Sequence, residues 1–364
     1  MKILYLYAEV MGYSMATIRE LAERGNEVHV VHWDQKKLTP YQAPKLPNVF
    51  MYKRSELSVE QIKILAKDIR PVVTVVSGWM DKGYMSVARQ LRQEGIPVVM
   101  GLDGQWHGTL SQWLILLIGR AGYFFQFYTH AWVAGLFQFE YARRLGFKKK
   151  NIVYDLYSAD LRLFNKAYKD SVERKETNYP HRFLFVGRFE PVKGLDVLLQ
   201  AWNELGAQKN DWELHLIGNG SLKAQLETST GVVVKDFMQP EQLMQEVANA
   251  GCFLLPSRGE PWGVVVHEFA AAGLPLIVSN VVGAASTFLI SGLNGYSFRV
   301  NDPVALANSM RKIINMPDKE LHAMAVSSHE LSQRITPATS AGNLLSILLN
   351  KHTDGSICRT ISES

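Results

Sequence analysis

The chain reads as an α/β protein made of two doubly wound domains facing across a cleft. Three observations predict this. At 364 residues and 47% hydrophobic content it can fill two ordinary cores. Short apolar runs alternate with capped helices through the first third, and the same grammar returns from Phe183 onward. A charge-rich stretch, 166–182, ending Asn178-Tyr179-Pro180, lies between the two.

The elements follow in order. Ile3–Tyr7 reads as a first strand; no small-residue cleavage site follows it, so it is not read as a signal peptide. Ser14–Arg24 is a helix closed by Gly25, and Glu27–His32 a second strand. A helix over Glu60–Asp68 stops before Pro71, Val72–Ser77 is a strand, and Gly83–Glu94 is a helix closed by Gly95. Pro97–Gly101 is a further strand. Apolar strands separated by helices imply a parallel sheet covered on both faces. The domain limits are set at 1–168 and 183–335, with 169–182 as linker and 336–364 as a tail that is helix-like around Leu344–Leu349.

One segment fits two readings. Residues 113–128 are strongly apolar but interrupted by Arg120 and two glycines, short of the roughly 20 residues that span a bilayer. The plain reading is a core helix followed by a strand. The other is an interfacial segment that helps a basic domain touch a membrane.

Charge supports a basic first half. Residues 1–170 carry 23 Lys+Arg against 15 Asp+Glu, or +8, leaving 16 against 19, or −3, for the remainder of a chain whose net charge is +5. An anionic partner for the first half follows, either membrane surface or anionic glycan. Nucleic acid is not expected, because no aromatic-basic platform or helix-turn-helix pattern accompanies the charge. Cys252 and Cys358 imply neither a disulfide framework nor a metal cluster, so a reducing, cytoplasmic setting is expected.

The chemistry concentrates in Pro256–Pro275. Cys252–Leu255 reads as a buried strand, and a loop carrying Gly259, Pro261 and Gly263 follows; Val264–Ala272 then reads as a helix closed by Gly273. Glu260 therefore lies at a strand's carboxyl end and Glu268 about one turn into the next helix. In open α/β sheets ligands bind at that edge, and helix-start amides favour an anion there. Either glutamate alone could simply offset the helix dipole. Upstream, Arg188 and Lys193 sit in a loop between a strand (Phe183–Val186) and a helix, placed to meet phosphate oxygens.

Glu-x7-Glu preceded by Pro-Ser, followed by Trp-Gly and ending Ala-Ala-Gly-Leu-Pro, resembles the donor-site signature of retaining family 4 glycosyltransferases. Phe183–Leu199 resembles that family's strand, glycine-arginine turn and lysine-glycine. Leu216–Gly220 resembles its Gly-x-Gly strand end, Asn294–Phe298 its Asn-Gly hairpin, and Asn151–Phe164 its interdomain segment. In that segment Tyr157-Ser158-Ala159-Asp160 lacks the usual glycine. The resemblance is dense over about 180–300 and is one of layout over the first 170 residues.

It implies two Rossmann-like domains in the GT-B arrangement, an N-terminal acceptor domain and a C-terminal donor domain, with the tail crossing back to the first. It also implies a nucleotide-diphosphate sugar as donor substrate and retention of anomeric configuration. Glu260 is expected to bond hydroxyls of the transferred sugar and Glu268 those of the ribose. Arg188 and Lys193 would carry the diphosphate's charge, and Gly263, Val264 and Val265 would bring backbone amides to the donor. Gly187, Gly218, Gly220, Phe237 and Met238 complete the expected donor positions, with Gly12 contributing from the first domain. Asp103 is the first choice for orienting the acceptor and His107 the second; His267 is expected to be structural. No Asp-x-Asp occurs, so no metal and no cofactor are expected.

The expected acceptor is a glycan or lipid-linked hydroxyl in cell-surface polysaccharide or lipopolysaccharide assembly, handled in the cytoplasm, peripherally on the inner membrane face. The alternatives are a nucleotide-sugar epimerase and a non-catalytic nucleotide-sugar-binding protein. A dinucleotide oxidoreductase is disfavoured, since no Gly-x-Gly-x-x-Gly follows the first strand.

Overall fold

A computed structural model describes residues 1–35 and 40–356, with side chains up to residue 349; Cys358 and the end of the tail lie outside the described residues. The chain divides into two compact units. The first holds a sheet of seven strands: β1 (Lys2–Tyr7), β2 (Glu27–His32), β3 (Val49–Lys53), β4 (Val73–Ser77), β5 (Val98–Leu102), β6 (His130–Val133) and β7 (Ile152–Val153). Their order is β3-β2-β1-β4-β5-β6-β7, and each pairing is parallel, with Tyr5 set between Val30 and Val75.

The second unit holds six: β8 (Arg182–Val186), β9 (Glu213–Ile217), β10 (Val232–Lys235), β11 (Cys252–Leu255), β12 (Leu276–Ser279) and β13 (Gly295–Phe298). The order is β10-β9-β8-β11-β12-β13, again all parallel. Parallel strands need crossover helices on both faces, so the central strands lose solvent on both sides. Ile3, Leu4, Val28, Val75, Val98 and Val99 are fully buried in one unit and Phe183, Leu184, Leu214, Phe253 and Ile277 in the other.

Helix starts follow local chemistry. Ser58 and Gln61 form a reciprocal capping box, Asp81 accepts from the amides of Gly83 and Tyr84, and Thr109 accepts from Gln112.

Three expectations need correction. The chain passes from one unit to the other between Ser158 and Ala159, not at 168, and no linker occupies 169–182. The helix Leu161–Lys169 runs up to that stretch and the helix Val172–Thr177 lies within it. Most of their charges face solvent, while Leu161, Phe164 and Ala167 are buried, and Lys175 is buried whole, its ammonium donating to Ala250 O at 2.9 Å. The helix Pro337–Ser356 belongs to the first unit, where Ser340 bonds Thr17 at 3.3 Å and donates to Asp155 O at 2.5 Å.

Asn294-Gly295 is not a hairpin: Gly295 opens β13, parallel to β12. Asn294 closes the local turn with its own side chain, accepting from Ile290 N and donating to Phe288 O, both at 2.8 Å. Finally, residues 113–128 hold no strand. They comprise most of the helix Leu110–Arg120 and a 3₁₀ turn, Tyr123–Gln126.

Candidate functional site

In the second unit the strand order reverses between β8 and β11. These strands pair only through Cys252–Phe183 and Phe253–Leu184, and beyond them lie the loops at their carboxyl ends. That is the ligand position of a doubly wound sheet. The loop after β8 carries Gly187, Arg188 and Lys193, that after β9 carries Gly218 and Gly220, and that after β11 carries Glu260 and Gly263. Gly187 N–H donates to Ile217 O at 3.0 Å and Gly218 N–H to Lys235 O at 3.0 Å, which ties the first two loops to neighbouring strands. Phe237 and Met238 are half-buried just past β10.

The Lys193 ammonium contacts the Glu260 carboxylate directly. Their side chains retain only 13% and 16% exposure, so the pair is largely shielded. Ser257 donates to the same carboxylate oxygen at 3.4 Å. Glu260's backbone bridges Val282, and its carbonyl accepts from Gly283 N–H at 3.2 Å. Gly194, at φ +68°, is needed for close approach: a Cβ there would sit 2.2 Å from Pro256 O. Arg258 then clamps the loop after β11 to the helix Leu195–Leu205, forking onto Asp196 at 2.7 and 2.5 Å. That fork holds the Asp196 carboxyl below its ordinary range. Arg188 is half-buried and makes no hydrogen bond or ion pair with the described residues, which leaves its guanidinium available to a ligand.

Gly263 caps the helix Val264–Ala271 in the left-handed region, φ +87°, and a Cβ on it would meet Glu260 Cγ at 2.8 Å. The first amides of that helix, Val264 and Val265, have no intrahelical acceptor by construction. Glu268 lies on the same helix, half-buried. Burial, then the charge of Asp160, pushes its carboxyl up to about 7. His267 is fully buried as a structural strut. Its Nδ1 accepts from Ala159 N–H at 3.1 Å and its Nε2 donates to Ser332 O at 2.8 Å. Burial drops its imidazole to about 4, so it stays neutral. Among the described residues no group of His, Cys, Asp and Glu is placed to hold a metal ion.

In the first unit Gly12 opens the helix Gly12–Glu23 just past β1, and Asp103 and His107 follow β5. The structure separates the last two. Tyr157 donates to Asp103 Oδ2 at 3.3 Å, and burial followed by Asp103's charge pushes the phenols of Tyr157 and Tyr7 up, so both remain neutral donors. Tyr13 packs edge-on against Tyr157 with centroids 4.8 Å apart. His107 is exposed, and its backbone amide donates to Gln112 Oε1 at 2.7 Å.

Sequence reasoning gave no role to Tyr7, Tyr13 and Tyr157, or to Asp196 and Val282. Only the small-residue run Gly283-Ala284-Ala285 after β12 hinted at the last.

Two Rossmann-like units, with a charged pair at the switch point of the second, have the fold seen in GT-B glycosyltransferases. Residues 168–328 match the family described as glycosyl transferases group 1. The chain is 33% identical to an uncharacterized glycosyltransferase of Methanocaldococcus jannaschii, over 36% of this chain and 38% of that protein. It is 28% identical to D-inositol 3-phosphate glycosyltransferase of Thermobispora bispora, over 52% and 48% of the two chains. These matches span less than half the length of the curated relatives. Solved structures share the fold over nearly the whole chain. Anabaena HepE, in complex with UDP and glucose, superposes with TM-score 0.70 at 16% identity, covering 96% of this chain and 100% of that one. Sucrose-phosphate synthase of Thermosynechococcus elongatus gives 0.71 at 18%, covering 98% and 100%.

Proposed function

We propose that this chain transfers a hexose-type sugar from a nucleotide-diphosphate sugar to a hydroxyl of a glycan or lipid-linked acceptor. Transfer retains anomeric configuration and needs no metal ion. It serves cell-surface polysaccharide or lipopolysaccharide assembly in the cytoplasm, peripherally on the inner membrane face. One observation carries the reading: a shielded Lys193–Glu260 pair, beside an unpartnered Arg188 and the first amides of the helix Val264–Ala271, at the switch point of a doubly wound sheet. Cation and carboxylate side by side match a substrate whose anionic diphosphate adjoins a polyhydroxyl sugar.

On donor binding, Lys193 and Arg188 turn to the diphosphate, and Glu260 accepts from sugar hydroxyls that replace the ammonium. Glu268, once ionised, accepts from the ribose diol. As the glycosidic bond breaks, charge grows on the leaving phosphate, where prepositioned cations and amides act most strongly. The departing phosphate takes the acceptor hydroxyl's proton on the same face. In the first unit Asp103, steadied by Tyr157, orients the acceptor. HepE's complexes with UDP and with UDP-glucose support the donor class.

A thermal-shift screen against nucleoside diphosphates, followed by NMR of the matching sugar nucleotide with and without acceptor, tests this. Donor consumed only with acceptor, giving a retained linkage that persists in EDTA, is expected. Donor isomerised without acceptor would assign an epimerase, and no shift with any nucleotide would remove the site.

A further inference from the structure

The helix Leu110–Arg120 inverts the usual pattern of a surface helix. Such a helix turns its apolar stripe inward and its charges outward. Here Leu110, Trp113, Leu114 and Leu117, at i, i+3, i+4 and i+7, face solvent together with Ile118, and each is 50% to 84% exposed. No Asp, Glu, Lys or Arg occurs in the helix before Arg120. The inner side is already satisfied. Leu116 and Gly119 are buried, and a Cβ on Gly119 would come within 2.9 Å of Leu145 O. The helix is therefore seated closely on the Leu145–Phe147 turn, and its outer face is surplus to the core. Tyr123, just beyond, is also exposed.

Cations border this face. Phe147, packed on Phe125 at 5.3 Å between centroids, leads straight into exposed Lys148, Lys149 and Lys150 at the foot of the helix. Among the described residues no acid pairs with Arg120, Lys148 or Lys149. At the other end Trp113 meets Trp106 edge-on at 5.2 Å, and the Arg144 guanidinium lies 5.0 Å above the Trp106 ring.

We infer that the outer face of Leu110–Arg120, with the lysine run at its foot, docks the chain on an anionic lipid bilayer surface. The inference deepens the membrane-facing part of the proposed function and rests on it. An 11-residue helix is too short to cross a bilayer, and no helix of the described residues is long and apolar enough to do so. It lies in the interface plane instead, its leucines among acyl chains, its tryptophan and tyrosine at headgroup level and its cations on lipid phosphates. A second copy of the chain fits less well, because two-fold pairing through this face would bring like-charged lysine runs together.

The test uses the full chain and sedimentation with phosphatidylcholine vesicles, with and without phosphatidylglycerol. Binding to the anionic vesicles at low salt, weakening as salt rises, is expected. Leu114→Glu/Leu117→Glu should cut partitioning by at least about tenfold. Replacing Lys148, Lys149 and Lys150 by glutamine should abolish the preference for anionic vesicles while leaving the apolar contact. Both variants should keep the wild-type thermal shift with nucleoside diphosphate, which shows them folded and separates this surface from the sugar-transfer site. Glu260→Ala should still bind vesicles. Wild-type protein that ignores anionic vesicles at low salt, or variants that bind as wild type does, would overturn the inference. So would a lipid-free dimer that the double glutamate variant dissociates, since that assigns the face to a second copy.

Discussion

Removing Lys193 separates two roles that the structure gives one ammonium. In Lys193→Ala the Glu260 carboxylate loses its cation in a setting where both side chains are largely shielded. Breaking a fully buried pair costs about 3–5 kcal/mol, because the surviving charge stays desolvated. The residual exposure here places the cost nearer the lower end, roughly 2–3 kcal/mol. An exposed pair such as Lys166–Asp170, with side chains 72% and 57% exposed, is worth at most about 1 kcal/mol. Catalysis suffers separately: loss of one prepositioned donor at the leaving group costs about 3 kcal/mol, or on the order of a hundredfold in turnover.

The assays are thermal melts of ligand-free protein and turnover with the sugar nucleotide that the screen identifies. Lys193→Ala/Glu260→Gln is the informative companion. It removes the orphaned charge, so the melting temperature should recover most of its loss while turnover stays low. Wild-type turnover in Lys193→Ala, or recovery of turnover in the double variant, would refute the assignment. Lys149→Ala, on the exposed run, should leave turnover on a soluble acceptor unchanged.

Gly263→Ala should lower turnover at least tenfold and stability by about 1–2 kcal/mol, since the added Cβ is strained at φ +87° and drives into Glu260; a melt and a rate suffice to check it. Nucleoside diphosphate affinity should rise with pH through about 7, because Glu268 must lose its proton to accept two ribose hydrogen bonds and its carboxyl is pushed up to about 7. Calorimetry on Glu268→Gln should show no such rise, and an unchanged pH profile would remove that role. His267, held down to about 4, binds its proton less readily folded than unfolded, so its contribution is present above about 6.5 and lost as pH falls toward about 4. His267→Gln melts should flatten in that window relative to wild type.

Much of the fold was legible because strand and helix signals are local. Glu27–His32 and Cys252–Leu255 have the same limits in sequence reading and structure, the first as valines bounded by turn residues and the second as a continuous apolar run. The strands that escaped notice are edge or short ones. Val49–Lys53 and Val232–Lys235 lie at the sheet edges and stay half-exposed, and Ile152–Val153 is only 2 residues long. The stretch 169–182 misled because its charge count says nothing about which side of a helix is buried; Lys175 ends up inside. In the candidate site the glycines and glutamates announced themselves by spacing. The Tyr7–Tyr157–Asp103 group did not, since its members come from β1, from just past β5 and from just past β7.

The sequence by itself determined which groups could act, and roughly where: two carboxylates and two cations beside glycines at strand ends, in a chain whose apolar periodicity specifies parallel sheets. Tertiary structure decided who meets whom. Strand order placed the loops after β8 and β11 side by side, put Lys193 on Glu260, set Asp160 near enough to Glu268 to shift its titration, and turned the leucines of the helix Leu110–Arg120 outward. The physical reason is range. Backbone preference and periodicity act over a few residues and can be read along the chain, whereas charge pairing and burial depend on neighbours that only the assembled sheets and helices supply.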